Sequence, residues 1–227
     1  MFLTRSDGAG KPQALQTQMP QSKNEQVPDS FTPDGKRLAW SQQGSGRYDL
    51  WTMPLQGDGA GLRGGKPEAF LQTAFDERHP PFSPDGRWLA YASNESRSYQ
   101  VYVRAFPVKG GKWQISNGGG SFPVWSGDAH GAGRELFFRS GDNRIMVAAW
   151  TAKDDSFVAD QPKFWLEKQR ADFGVAGGST FDVAPDGKRI AALMPVETPE
   201  SQQAQSHVIF LMNFFDELRR KVPLSGK

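Results

Sequence analysis

One short phrase recurs four times along the chain, and its spacing limits the folds that the chain can adopt. The copies are SFTPDGKRLAW at residues 30–40, PFSPDGRWLAY at 81–91, VWSGDAHGAGRELFF at 124–138 and DVAPDGKRIAAL at 182–193. Their aspartates, Asp34, Asp85, Asp128 and Asp186, lie 51, 43 and 58 residues apart. A repeat of about 40 to 50 residues in a chain rich in strand signals predicts propeller blades, each a small antiparallel sheet.

Each copy reads as a hairpin bend that leads into a strand. Pro33 and Pro84 occupy the second position of a type I turn, and a glycine occupies the fourth, as that turn prefers. The turn aspartates lie on different blades, so we expect them to bond their own turns rather than to share a metal ion. In every copy a third strand is predicted to follow the hairpin, at residues 48–53, 99–104, 144–149 and 207–212. A fourth strand is predicted for the first three copies, at 68–73, 112–116 and 164–167. The sequence therefore predicts an all-β propeller of four-stranded antiparallel blades.

The strand count indicates a partial propeller within one domain, residues 1–227. We predict the remnant of a preceding blade at 1–19, blades at 20–73, 74–116, 117–167 and 168–212, and a short C-terminal helix at 213–223. The four copies and the two strands of the remnant blade give more strands than a four-bladed ring needs. This count favours an open arc of about four to five blades. Exposed strand edges recruit other chains, so we expect a homodimer.

Composition and charge exclude several classes of protein. The 25 glycines and 16 prolines argue against an all-helical fold, while 37% apolar residues suffice for a core. The chain has no cysteine, which excludes disulfide scaffolds and thiolate metal sites. Lysine and arginine number 27 against 25 acidic residues, so nucleic acid is an unfavourable partner. No apolar run reaches the length of a signal peptide or a membrane span, which predicts a cytoplasmic chain without membrane insertion.

The FTPDGKRLAW and FSPDGRWLAY phrases resemble the WD-type propeller repeat of TolB-like proteins, and the match covers nearly the whole chain. It extends to GKWQISNGGGSFPVWS at residues 111–126 and to NFFDELRRKVP at 213–223. The last segment is similar to the end of propeller domains attached to bacterial serine/threonine kinases. Kinase motifs and a TolB N-terminal domain are missing from the sequence. The resemblance implies a propeller of about six blades.

Ligands of propellers bind on the face around the central channel, where the loops entering the innermost strands converge. We predict those loops at residues 24–28, 76–80, 118–123 and 177–181. The residues expected to contact a partner or ligand are Asn24, Gln26, Glu77, Arg78, Phe122 and Thr180. In the second loop, carboxylates beside an imidazole can hold a divalent cation or transfer protons. The structural alternative is that Arg78 pairs with an acid and His79 closes the channel mouth.

The sequence contains no recognised catalytic motif. It lacks the Gly-x-Ser-x-Gly and His-Glu-x-x-His patterns, and its glycine runs do not precede a helix with the lysine of a phosphate loop. This absence favours a binding module that presents its channel face to a protein or peptide and needs no cofactor.

The alternative is a Ca²⁺-dependent propeller hydrolase acting on a lactone or ester. Asp76 and Glu77 would then hold the ion, with Asn24 or Glu25 contributing, and His79 would transfer a proton. This alternative rests on analogy between folds, so whether the chain is an enzyme is left open.

Overall fold

The computed structural model describes residues 2–3, 13–15, 24–57, 61–107, 110–127, 134–165, 181–184 and 187–192. All of them lie in Met1–Met194, the first of two units of the chain. These ranges contain β-strands and turns and no α-helix. No helix of the described part is therefore long and apolar enough to cross a membrane. The predicted C-terminal helix lies outside the described residues, as does the third strand predicted for the fourth repeat copy at 207–212. The same is true of Thr180, Asp128 and Asp186.

Four antiparallel sheets follow the four repeat copies, and we name them blades I to IV. The strands that precede them are Phe2–Leu3 (β1) and Gln13–Ala14 (β2). Blade I contains Gln26–Phe31 (β3), Arg37–Gln43 (β4), Tyr48–Gln56 (β5), Arg63–Gly64 (β6) and Glu68–Leu71 (β7). Blade II contains Glu77–Arg78 (β8), Trp88–Ser93 (β9), Gln100–Ala105 (β10) and Lys112–Gln114 (β11). Blade III contains Ser121–Ser126 (β12), Glu135–Arg139 (β13), Ile145–Lys153 (β14), Ser156–Ala159 (β15) and Lys163–Phe164 (β16). The described part of blade IV is Phe181–Val183 (β17) and Ile190–Ala192 (β18).

Blades I to III share one strand order, which confirms the predicted all-β propeller architecture. In each of these blades the innermost strand pairs with the second strand, and the second pairs with the third. The third strand pairs with a fourth, which is β7 in blade I, β11 in blade II and β16 in blade III. The short strands β6 and β15, which were not predicted, pair with the far ends of β5 and β14. The predicted domain boundaries, the number of blades and the open arc stay predictions.

The hairpin bends have the predicted turn geometry. The Gly35 backbone N–H donates to the Thr32 carbonyl at 2.8 Å, and Gly35 has a φ of 68°, which favours glycine. Asp34 Oδ1 accepts from the Thr32 hydroxyl at 2.7 Å and from the Lys36 backbone N–H at 3.0 Å. These bonds, the Thr32 bond foremost, lower the pKa of Asp34. Asp85 makes the equivalent pair of bonds, so both aspartates have the predicted structural role.

Strand β9 is buried on both faces. Leu89 and Tyr91 pack with residues of blade I, whereas Trp88 and Ala90 pack with residues of blade III. Alternate residues of β9 thus face two different neighbouring blades. Trp88 is therefore a core residue with 1% of its surface exposed.

An aromatic cluster joins blades II and III around Phe157 of β15. Strand β14 extends beyond its partner β13 and turns at Asp154, which has a φ of 53°, so that β15 returns over blade II. The Phe157 ring lies 5.2 Å from Trp88 and 5.4 Å from Trp150, centroid to centroid, and also contacts Trp113. The turn contains neither Gly nor Pro, which is why the sequence pattern did not predict β15.

Replacing Phe157 with Ala is expected to lower the free energy of unfolding by about 3 to 5 kcal/mol, because it opens a cavity between two blades. Urea denaturation followed by tryptophan fluorescence measures the loss. Val158→Ala is the control, since the neighbouring side chain is 57% exposed and its loss should cost at most about 0.5 kcal/mol. Equal losses for the two variants would contradict the burial of Phe157.

Candidate functional site

The innermost strands begin earlier than predicted, so the loops around the channel are partly strand. Strands β3, β8 and β12 start within residues 24–28, 76–80 and 118–123. Prolines are typical of loops, but they are compatible with an innermost strand. Such a strand has only one neighbour, so the N–H that proline lacks on the open side removes no hydrogen bond of the ladder. The strands are irregular at these prolines, with register shifts between Pro28 and Ser30 and between Ser121 and Val124.

Two ring-bearing residues that precede these prolines adopt left-handed backbone conformations. His79 has a φ of 56° and Phe122 a φ of 52°. Both precede a proline, a position that favours extended backbone, and neither is glycine. Their rings stack with centroids 4.1 Å apart. The rings of His79 from blade II and Phe122 from blade III are therefore in direct contact.

His79 lies against a carboxylate supplied by blade I. Its Nδ1 is 3.5 Å from Asp29 Oδ1, and the two side chains are 18% and 12% exposed. Asp29 Oδ2 accepts from the Ser41 hydroxyl at 2.9 Å and from the Ser41 backbone N–H at 3.0 Å. Ser41 therefore holds the carboxylate in place opposite the imidazole.

Ser, His and Asp meet here without forming a nucleophilic triad. The Ser41 hydroxyl donates to Asp29 and accepts from the His79 backbone N–H at 3.0 Å. An activated serine would instead donate to the imidazole ring. The cluster offers an imidazole paired with a carboxylate, which can transfer a proton through Nε2.

Asp76 connects blades I and II at the same face. Its carboxylate accepts from the Tyr48 backbone N–H at 2.7 Å, from Arg78 Nε at 3.0 Å and from the Tyr99 hydroxyl. Its backbone N–H donates to Asn94 Oδ1 at 2.9 Å. Burial alone would raise the pKa of Asp76, but the bonds from Arg78, Tyr99 and Tyr48 outweigh it and lower that pKa. Arg78 pairs with an acid, as the structural alternative expected.

Glu77 is buried inside the blades rather than displayed on the channel face. Only 1% of its surface is exposed, and Oε1 accepts from the hydroxyls of Thr73 and Ser93. Oε2 is buried without a hydrogen-bond partner. Burial, reinforced by the negative charges of Asp49 and Asp76, raises the pKa of Glu77 to about 7.

A cleft of about 840 Å³ runs along the innermost strands, and we name it the channel cleft. Its walls are mostly proline and aromatic side chains. They include Pro28, Phe31, Pro33, Pro81, Phe82, Pro84, Phe122, Pro123, Trp125 and Phe181, with Asp29, His79 and Asp182 as the charged or titratable members. Phe31 is 50% exposed in this cleft, which is unusual for so large an apolar side chain.

A second, smaller pocket of about 370 Å³ adjoins the cleft between blades II and III, and we name it the basic pocket. Arg78, His79 and Arg139 contribute to its lining. His79 and Phe122 line both the cleft and the pocket, so the two spaces adjoin at this ring pair.

The structure brings together some of the predicted binding residues and separates others. Arg78, His79 and Phe122 meet at the border of cleft and pocket. Gln26 donates from Nε2 to Gln42 Oε1 at 3.0 Å, and Asn24 is exposed.

Four further residues of this face were not predicted from the sequence: Asp29, Tyr48, Tyr99 and Arg139. The two tyrosines lie at equivalent positions, where the third strands β5 and β10 begin. An alignment of the third strands could therefore have found them.

The residues predicted to bind calcium do not form a common ligand set. The oxygens of Asp76 accept from Arg78, Tyr48 and Tyr99, whereas Glu77 is buried against Thr73 and Ser93. Among the described residues, no group of three or more histidine, aspartate or glutamate side chains is placed to hold a metal ion. The calcium site stays a prediction, and no chemical step is derived from it.

The fold of the described residues defines a β-propeller. No protein-family model matches the chain, and no curated protein matches it. The WD-type repeat and the similarity to kinase propellers are not confirmed by these comparisons.

Several solved structures are similar to the chain. A TolB-type protein from Agrobacterium tumefaciens is 19% identical with a TM-score of 0.48, over 72% of this chain and 56% of that one. A protein from Bacteroides uniformis, assigned as a 6-phosphogluconolactonase, is 16% identical with a TM-score of 0.48, over 85% and 56%. TolB from Acinetobacter baumannii is 13% identical with a TM-score of 0.33, over 69% and 47%. The chain spans about half the length of these structures.

Glu77 should make stability fall as the pH rises. With a folded-state pKa of about 7 against an ordinary value of 4.5, the folded chain keeps a proton between these pH values that the unfolded chain has released. The free energy of unfolding should therefore decrease from pH 4.5 to 7 and level off above, by up to about 3 kcal/mol from this group. Glu77→Gln should remove this dependence, and its free energy of unfolding at pH 8 should exceed that of the wild type.

Urea titrations at several pH values measure the effect. Asp160→Asn is the control, because its carboxylate is exposed and its removal should leave the slope unchanged. A Glu77→Gln variant that retains the slope would contradict a raised pKa for Glu77.

Proposed function

We propose that the chain is a binding module that takes a peptide segment of a partner protein into the channel cleft. The observation that carries the proposal is the apolar wall of the cleft, with Phe31 half exposed in it. Exposed apolar surface in a concave site marks a place where a ligand covers it.

The walls of the cleft are also suited to binding because they lose little freedom. Proline has no rotamer entropy to lose, and an aromatic ring has only two side-chain torsions. Phe82 and Trp125 are already fixed, since both are buried and the Trp125 indole N–H donates to the Pro81 carbonyl at 3.1 Å. A peptide would therefore meet a largely preformed surface.

Replacing Phe31 with Asp should abolish or strongly weaken peptide binding, because it places a charge in the apolar wall. The probe is a random dodecapeptide library on phage, fused so that no peptide ends in a free carboxylate. Enriched peptides, synthesised as amides, should bind the Phe31→Asp variant at least about tenfold more weakly in calorimetry.

Val158→Asp is the matched control, because Val158 is an exposed apolar residue of β15 that does not line the cleft. It should bind the peptides as the wild type does. If no peptide is enriched, or if both variants lose affinity equally, the channel cleft is not the binding site.

A second candidate function, hydrolysis of a lactone or ester, is supported by one arrangement. His79 faces Asp29 at 3.5 Å and lines both spaces, so an imidazole with an orienting carboxylate borders the cleft. As a general base, His79 would take a proton from water through Nε2 while water attacks the carbonyl. It would then return that proton to the alkoxide oxygen that leaves as the acyl C–O bond breaks.

The hydrolase hypothesis predicts that His79→Gln lowers turnover of a lactone or aryl ester at least about a hundredfold, with a smaller loss for Asp29→Asn. Peptide affinity measured on the same variants separates the two functions. Thermal melts with EDTA and with added Ca²⁺ test the ion, because a native-state ligand raises the melting temperature. Turnover that is unchanged in His79→Gln would rule out this chemistry and leave the binding module.

Two further proposals are that the chain needs no cofactor and that it forms a homodimer through its blade edges. Size-exclusion chromatography with light scattering tests the second, and a monomer at micromolar concentration would contradict it.

A further inference from the structure

The loop between β11 and β12 contains the one Asn–Gly pair in the sequence, Asn117 and Gly118. Both residues are exposed and lie in a bend. Asparagine is among the thermolabile residues, and a following glycine makes it more so. Because glycine has no side chain, its backbone nitrogen can approach the preceding amide carbon freely. The pair is therefore a candidate site of covalent modification, independent of any ligand.

The structure leaves both reacting groups of this pair accessible. Within the described part of the chain, neither the Gly118 backbone N–H nor the Asn117 side chain has a hydrogen-bond partner. The space beside Gly118 is open, since a Cβ added there would meet no heavy atom within 4 Å. A reaction between the two residues therefore breaks no hydrogen bond of the fold.

The Asp–Gly pairs of the repeat turns have a similar sequence but a different environment. The backbone N–H groups of Gly35 and Gly86 each donate at 2.8 Å to the carbonyl three residues earlier. The carboxylates of Asp34 and Asp85 each accept a hydroxyl and a backbone N–H. Both groups that would have to react are thus engaged in these turns, which distinguishes them from the exposed bend at Asn117.

We propose that Asn117 is a site of spontaneous deamidation, with water as the co-reactant. The Gly118 backbone nitrogen attacks the side-chain carbonyl carbon Cγ of Asn117 and forms an N–Cγ bond. The Cγ–Nδ2 bond breaks, and the proton lost by the attacking nitrogen leaves with the ammonia. Water then opens the cyclic imide. Cleavage of the new N–Cγ bond gives aspartate, and cleavage of the original peptide bond gives isoaspartate.

Isoaspartate at this position would loosen the attachment of the loop to blade II. It routes the backbone through the side chain and so lengthens it by one carbon, directly before two glycines that are held in place. The Gly119 backbone N–H donates to Gln100 Oε1 at 3.2 Å, and the Gly120 backbone N–H donates to the Tyr99 carbonyl at 2.8 Å. The fit is close, because a Cβ at Gly119 would lie 2.9 Å from the Gly141 backbone. An extra carbon therefore displaces these bonds.

Ageing of the full chain in mildly alkaline buffer tests the site, with peptide mapping by mass spectrometry that distinguishes aspartate from isoaspartate. Asn117 should convert at least about tenfold faster than Asn143, which is also exposed but precedes Arg144. Both products should form, because direct hydrolysis of the amide gives aspartate alone. Asp34 and Asp85 should form no isoaspartate over the same period.

Gly118→Ala is the matched variant, because the open space there accepts the methyl group without disturbing the fold. The methyl group hinders the attacking nitrogen, so conversion of Asn117 should slow at least about tenfold. Conversion at the wild-type rate in Gly118→Ala, or equal conversion of Asn117 and Asn143, would overturn the proposal. An intact Asn117 amide after ageing would overturn it as well.

The melting temperature of the aged chain tests the effect on the loop. The isoaspartate form, separated by ion exchange, should melt at least about 2 °C below the unaged chain, since two bonds of the loop are lost. Asn117→Asp adds the same charge without the extra carbon and should melt within about 1 °C of the wild type. If isoaspartate forms at Asn117 and the melting temperature stays unchanged, the modification site stands and the loosened loop is refuted.

Discussion

The blades are separate sheets, so their arrangement depends on the side chains packed between neighbouring faces. A central blade has no free face, and its strands are buried on both sides, as β9 is. Leu89 and Tyr91 fill the space toward blade I, and Trp88 fills the space toward blade III together with Phe157. This packing requires aromatic side chains on opposite faces of one short strand, since two twisted sheets leave gaps that small residues do not fill.

Packing between blades also brings the residues of the candidate site together. Asp29 comes from blade I, His79 from blade II and Phe122 from blade III, and none of these three is close to another in sequence. Side-chain bonds fix the blades at this face: the Ser30 hydroxyl donates to the Pro80 carbonyl at 2.8 Å and accepts from the Phe82 backbone N–H at 3.0 Å. A site built from three rigid sheets is largely preformed, as a binding surface of high affinity requires.

The repeats predicted the strand order because turn chemistry acts locally. Pro33 and Asp34 determine their hairpin through bonds within five residues, so the sequence contains the whole explanation. The site could not be predicted in the same way. Residues 76–79 looked like one polar loop, but β8 occupies part of it and successive strand residues face opposite ways. Glu77 is therefore buried while Arg78 lines the pocket, and Asp29 was missed because its partner His79 is 50 residues away.

His79 and Phe122 show where the fold departs from what packing alone would select. A left-handed backbone at a non-glycine residue costs free energy, and a following proline makes that conformation less favourable still. Glycine, which would relieve the cost, is found at neither position, although 25 glycines occur elsewhere in the chain. The two rings gain only a stacking contact of about 0.5 to 1.5 kcal/mol from the arrangement. Both rings border the cleft and the basic pocket, so this backbone conformation determines the shape of the surface where the two spaces adjoin.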